Sequence, residues 1–252
     1  MTVTALIAAR MGSSRFPGKS LADLHGKPML ERMVERIRMA RGIDQIVLAT
    51  TDQPEDEVLA NWAGNIGIGC FRGSDKDVLG RLHAAAAAFK TDVIVEMLGD
   101  NPLIHSSLIE VALDQYAIGG FDYVATVTNE YPKAALDLKR FPIGVRVQVF
   151  SFDAIRLCAQ LASAPENREH ATTFIASHPE IFRTNFVEAA GRFAEANRPE
   201  LTFAVNHRQN LDLIRVLYER CHGTDSNFTI SSAIAAFDAD PALACLMGDP
   251  KK

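Results

Sequence analysis

Two short stretches of the chain concentrate residues able to do chemistry. The first reads Arg10, Met11, Gly12, Ser13, Ser14, Arg15, Phe16, Pro17, Gly18, Lys19. Its three cations, two hydroxyls and two glycines make a donor-rich loop suited to phosphate, with arginine offering forked contacts and lysine a point charge. The competing reading is a solvated surface loop. The second stretch reads Leu98, Gly99, Asp100, Asn101, Pro102. A carboxylate held between glycine and proline suits a hard cation such as magnesium that also bridges substrate phosphates. Aspartate equally favours turns and helix caps, so this stretch alone decides little. Gly18, Lys19 and Ser20 mimic the end of a P-loop, but that motif requires glycine where the chain has Ser13.

The elements around these stretches give them their weight. Residues 3 to 9 form a continuous apolar run, the pattern of a strand buried on both faces, and the cationic loop follows at once. From Pro28 to about Ala40, Met29, Leu30, Met33, Val34 and Ile37 recur at helical spacing. The alternation then repeats: strand 45–50, helix 54–64, strand 66–71, helix 77–89, strand 92–98, helix 106–117, strand 121–127. Strands separated by helices imply crossovers and a mainly parallel sheet covered on both faces. The second half predicts strands at 144–150, 182–188 and 201–205, helices at 151–162, 167–177 and 208–221, and a short helix with a frayed end after Gly223. In such open α/β sheets ligands bind beyond the carboxyl ends of strands, where both stretches fall.

Bulk properties bound the rest. The length fits one compact domain over 1–252, read as halves 1–127 and 128–222 with a tail 223–252. A net charge of −5 disfavours a general nucleic-acid binder, which needs excess cations to displace counterions. No stretch approaches eighteen apolar residues and no basic leader precedes the first strand, so a cytoplasmic protein without membrane contact is expected. Cys70, Cys158, Cys221 and Cys245 show no metal or redox spacing and read as reduced thiols.

Taken in order along the chain, the segments resemble the sugar-activating cytidylyltransferases. The resemblance is closest to the spore coat polysaccharide biosynthesis cytidylyltransferases and more distant to the keto-deoxy-octulosonate and acylneuraminate enzymes. It rests on IAARMGSSRFPGKSLADLHGKPML at 7–30, ATTDQPEDE at 49–57, FRGSDKDVLGR at 71–81, LGDNPLI at 98–104, VFSFDAI at 149–155 and REHATTFIASHPE at 168–180. It implies a three-layer, Rossmann-like α/β fold with a mixed, mainly parallel sheet of the nucleotide-diphospho-sugar transferase type. It also implies CTP as donor, a sugar-like acceptor, magnesium as cofactor and a homodimer. By position, Arg10, Gly12, Ser13, Arg15, Lys19 and Arg72 would hold the nucleotide, with Arg10, Lys19 and Asp100 catalytic and Asp100 binding magnesium. The chemistry would be attack of a hydroxyl on the α-phosphorus with loss of pyrophosphate.

Two segments depart from the family pattern. Where relatives read VDTPEDL the chain has Val205, Asn206, His207, Arg208, Gln209, Asn210, Leu211, so the expected second metal carboxylate is Asn206. Where they read GLDVEVFSF, Arg146 and Gln148 replace two carboxylates, on one face of a strand. Either these changes suit an altered, anionic acceptor, or they mark a relative that binds nucleotide without turnover; another nucleotide is a third possibility. On the first reading Arg146, Gln148 and His170 face the acceptor. His170 equally suits a cap or core role, His178 forms no metal spacing, and His207 falls where relatives carry a turn residue and reads as exposed. Phe121, Tyr123, Phe150, Phe152, Phe182 and Phe186 read as core.

Overall fold

The opening apolar run forms the central strand of the molecule, β1 (Val3–Ala8). The structure is a computed structural model and describes residues 1–130, 137–170, 172–223 and 225–248. Further strands are β2 (Asp23–Leu24), β3 (Lys27–Pro28), β4 (Gln45–Thr51), β5 (Gly69–Gly73), β6 (Val93–Leu98), β7 (Tyr123–Thr126), β8 (Gln148–Ser151) and β9 (Thr184–Val187). The helices are α1 (Met29–Arg38), α2 (Glu57–Asn65), α3 (Val78–Ala88), α4 (Ser106–Gly119), α5 (Phe152–Leu161), α6 (Pro165–Glu169), α7 (Thr173–Ser177), α8 (Arg208–His222), α9 (Ile230–Asp238) and α10 (Ala244–Met247).

Seven strands form one sheet in the order β5-β4-β1-β6-β8-β7-β9, and β2 and β3 make a small separate hairpin. β1 runs parallel to β4 and β6, and β7 parallel to β9, while β8 is antiparallel to both its neighbours. The expected α/β fold with a mixed, mainly parallel sheet is therefore observed. Alternation along β1 sends Ala5 and Ile7 to one face and Leu6 to the other. The first face is covered by α1, α2, α4, α8 and α9, the second by α3, α5 and α7. Each buried leucine or isoleucine contributes about 1.5–3 kcal/mol, so these two layers hold the sheet rigid beneath its loops.

Several boundaries differ from expectation. The strand placed at 66–71 starts only at Gly69, because Ile66 still caps α2 and Gly67 turns the chain at φ 71°. The stretch 201–205 is not a strand of the sheet. It forms one bridge, Ile143 to Thr202, where the chain passes so close that a Cβ on Gly144 would lie 2.2 Å from the Ala204 nitrogen. The helix expected over 167–177 is two short helices, α6 and α7, and Ala171 between them lies outside the described residues. The tail carries two short helices, α9 and α10, where one is expected. Phe228, Ile230, Ile234, Phe237 and Leu243 are buried, and the buried Arg36 guanidinium donates to Phe228 O at 2.6 Å and Ile104 O at 2.6 Å. Residues 249–252 of that expected tail lie outside the described residues. No single helix among the described residues is long and apolar enough to cross a membrane. All four cysteines are unbridged, and burial pushes the Cys158 thiol up to about 12.

Candidate active site

Adjacent parallel strands end together, and that fixes where the two chemical stretches meet. Ala8 at the end of β1 pairs with Leu98 at the end of β6, so the loops after both strands leave the same edge of the sheet. Gly99 makes the approach possible: a Cβ there would stand 2.7 Å from Ala9 Cβ and 3.0 Å from Ala8 O. Its N–H donates to Ala8 O at 3.0 Å, and Asp100 follows directly above the sheet.

The cationic loop is held from below by an acid. Asp56 is 1% exposed and accepts from Met11 N at 2.6 Å, from Thr51 N at 3.2 Å and from the Thr51 hydroxyl. Gly18, at φ 78°, closes the loop by donating to Met11 O at 3.0 Å. Ser13 Oγ accepts from Phe16 N at 3.3 Å, and Phe16 is buried under the Arg208 guanidinium. Ser13 N donates to Met11 O at 2.9 Å, while the N–H groups of Gly12, Ser14 and Arg15 meet no acceptor among the described residues, so the loop keeps backbone donors that an oxyanion can use.

Side chains cross from loop to loop. Lys19 Nζ donates to Asp100 Oδ2 at 2.9 Å and to Val205 O at 2.8 Å, and Val205 N donates back to Asp100 O at 2.9 Å. Arg15 donates to Asn206 Oδ1 at 3.1 Å, while Asn210 Oδ1 accepts from Asn206 N and His207 N and so fixes that turn. Arg10 is paired with Asp75 at 2.5 Å. Together they border a cleft of about 340 Å³ lined by Arg10, Ser13, Ser14, Arg15, Lys19, Arg81, Asp100, Glu169, His170 and Asn206, among others. Its lining combines the cations Arg10, Arg15, Lys19 and Arg81 with two carboxylates, Asp100 and Glu169, and the Asn206 carboxamide.

Residues 4–220 match the cytidylyltransferase family. The chain belongs to that family. It is 31% identical over 246 residues, 95% of its length and 92% of the relative's, to an 8-amino-3,8-dideoxy-manno-octulosonate cytidylyltransferase of Shewanella amazonensis. It is 28% identical over 241 residues, 94% of each chain, to the spore coat polysaccharide biosynthesis protein SpsF of Bacillus subtilis. A solved cytidylyltransferase from Leptospira borgpetersenii superimposes with a TM-score of 0.85 at 22% identity, covering 99% of this chain and 98% of that one, which shows a shared fold. The protein is thus a CTP-using nucleotidyltransferase.

Within this cytidylyltransferase, the expected residues divide. Arg10, Ser13, Arg15, Lys19, Asp100, Asn206 and His170 line the one cleft. Gly12 shapes the loop without lining it; a Cβ there would reach within 3.3 Å of Glu55 Oε1. Arg72 stands outside it, because its guanidinium donates to Thr51 O and Gln53 O and pairs with Glu57. Arg146 and Gln148 do share a face, as alternation requires, and are joined by a hydrogen bond at 2.9 Å, but neither lines this cleft. Gln148 is fully buried: Oε1 accepts from Tyr123, Thr172 and Arg146, and Nε2 donates to Glu96 at 2.6 Å. Burial pushes the Glu96 carboxyl up, with Arg146 opposing. A second carboxylate at 148 would stand against Glu96 without solvent, which gives a physical reason for the amide there. His170 closes α6, His178 stacks on Phe174 with centroids 3.9 Å apart, and His207 caps α8. Of the six aromatics read as core, Tyr123, Phe150 and Phe182 are buried and the other three pack partly buried against the core, with Phe152 opening α5 instead of extending a strand.

Sequence reasoning passed over Asp56, Asp75, Arg81 and Glu169. The signal existed: all four fall inside the segments 49–57, 71–81 and 168–180 that carry the family resemblance. The donors around Asp100 are also informative about a cation. Asp100 and the Asn206 Oδ1 offer oxygen donors, and no group of three or more His, Cys, Asp or Glu among the described residues could hold a metal by itself. Such a set fits magnesium, which is commonly held by one or two carboxylates and completed by substrate phosphates.

Proposed function

We propose that this protein transfers CMP from CTP to a hydroxyl of a sugar or sugar acid, releasing pyrophosphate, with magnesium as cofactor. The observation that carries the reading is the Lys19–Asp100 contact, which brings the cationic loop and the acid after β6 together over one cleft. The names of the octulosonate and spore coat relatives support the sugar-like acceptor and a role in surface polysaccharide synthesis. A cytoplasmic setting and a homodimer belong to the same proposal, on the family resemblance.

On this reading Arg10, Ser13, Arg15 and Lys19 hold the triphosphate and stabilise the charge that builds on the departing pyrophosphate. Magnesium, held by Asp100 and the Asn206 carboxamide with phosphate oxygens, would neutralise further phosphate charge. The acceptor hydroxyl attacks the α-phosphorus in line, its O–H proton leaves to base, and the bond from the α-phosphorus to the pyrophosphate oxygen breaks. His170 and Glu169 lie on the cleft wall where the acceptor enters. The test is pyrophosphate release with each of the four nucleoside triphosphates and a panel of acidic and neutral sugars. Magnesium-dependent release with CTP is expected, and background release across the whole panel overturns the assignment. Asn206, a neutral group where relatives carry an acid, favours one second reading: a relative that binds CTP without turnover. In that case CTP raises the melting temperature by mass action while no pyrophosphate appears.

A further inference from the structure

Arg81 is the cation of the cleft that no sequence motif singled out. It lies one turn into α3, is 4% exposed and faces the cleft beside Ala8, Arg10 and Val78. Its Nη1 donates to Ser74 O at 2.6 Å, and its Nε has no hydrogen-bond partner among the described residues. The path of the side chain is set by glycine: a Cβ on Gly73 would stand 3.2 Å from Arg81 Cγ. Asp77 caps α3 by accepting from Gly80 N at 2.9 Å and so fixes the turn from which Arg81 projects.

The other cations here already have side-chain partners. Arg10 has Asp75, Lys19 has Asp100 and Arg15 has the Asn206 carboxamide. Arg81 has one carbonyl and forms no ion pair among the described residues, although it is the most deeply buried of the four. Burial and the neighbouring Arg10 both work against its charged form, with Asp75, Asp56 and Asp77 opposing. A buried guanidinium with an orphaned donor lowers stability unless something else repays it. An oxyanion between Arg81 and Arg10 would give this buried guanidinium a counter-charge and relieve the repulsion between the two cations.

We propose that Arg81 is a polyphosphate-binding residue of this cleft, its guanidinium donating to a phosphoryl oxygen of the bound triphosphate beside Arg10. The proposal rests on the CTP reading of the cleft and deepens it. The test is binding of CTP, inorganic pyrophosphate and cytidine, by calorimetry, to the unmutated protein, Arg81→Met and Arg81→Lys, with melting temperatures of each ligand-free protein. Arg81→Met is expected to melt no lower than the unmutated protein, since a costly buried charge is gone, yet to bind CTP and pyrophosphate about tenfold or more weakly. Cytidine binding stays unchanged. Arg81→Lys keeps the charge but lacks the planar forked donor, and is expected to lose most of the same affinity while guarding against misfolding of the Met variant. If the unmutated protein binds CTP and pyrophosphate and both variants bind them equally well, the proposal falls and the CTP reading stands. A loss confined to cytidine overturns it also, by assigning Arg81 to the base. Failure of the unmutated protein to bind either phosphate ligand removes the CTP reading and this proposal together.

Discussion

Lys19 and Asp100 hold each other across the cleft, so each is kept in position by the other. Replacing either by alanine is expected to lower magnesium-dependent pyrophosphate release about a hundredfold or more, the usual effect of removing one charge-stabilising group. Steady-state rates with CTP check this, and near-normal rates in both variants would remove the pair from the chemistry. Asn206 has a different consequence. Its carboxamide accepts from Arg15 at 3.1 Å without cancelling that cation's charge. Asn206→Asp adds a carboxylate to the donor set and also gives Arg15 a counter-ion. The expected outcome is half-saturation at lower magnesium with weaker binding of metal-free CTP, read by magnesium titration and calorimetry. A variant that shifts neither shows that position 206 contacts neither partner.

At the scale of elements, the cleft depends on β1 and β6 being neighbours that end level. Gly99 is where this is tightest, and Gly99→Ala must push β6's exit away from Ala8 and Ala9. A loss of about 1–3 kcal/mol, as for overpacking in a close-fitting interior, is expected with a fall in pyrophosphate release larger than the stability loss explains. Denaturant titration beside steady-state rates tests it, and normal values of both would show that the approach is not tight. The elements also show what the sequence disclosed. The central strands, the helices between them and the two loops were legible because buried parallel strands leave unbroken apolar runs and the cationic loop is compositionally unusual. The boundaries of β8, α6 and α7 were not, since short elements carry too few periods to register. Arg72 and Arg81 occupy the same segment, and only the packing of Gly73 and the carbonyls around Arg72 decide which of them reaches the cleft. Gln148 likewise reads as exposed chemistry on a strand, whereas its burial against Glu96 depends on which strand lies next to it.

Across the whole molecule, the buried Glu96 makes stability depend on pH. Its carboxyl is raised above the ordinary value of 4.5 by burial, so the folded state holds a proton that the unfolded chain releases. Stability from this group is full below about pH 4.5 and is lost as pH rises toward the folded value. Glu96→Gln removes that slope while keeping an amide partner for Gln148, so the variant's advantage should grow from pH 5 to pH 8 in urea titrations. An advantage that is the same at both values shows that Glu96 is ionised in the fold. The sheet order carries a last consequence, in time rather than space. β7 is made before β8 but touches β6 nowhere in the sheet, because β8 lies between them. During synthesis the edge of β6 must wait, unpaired, until about the 150th residue has emerged, while β7 has no neighbour to join. A nascent chain paused before that point would present a sticky border, and a chaperone bound there would be guarding the half of the protein that already contains its cationic loop.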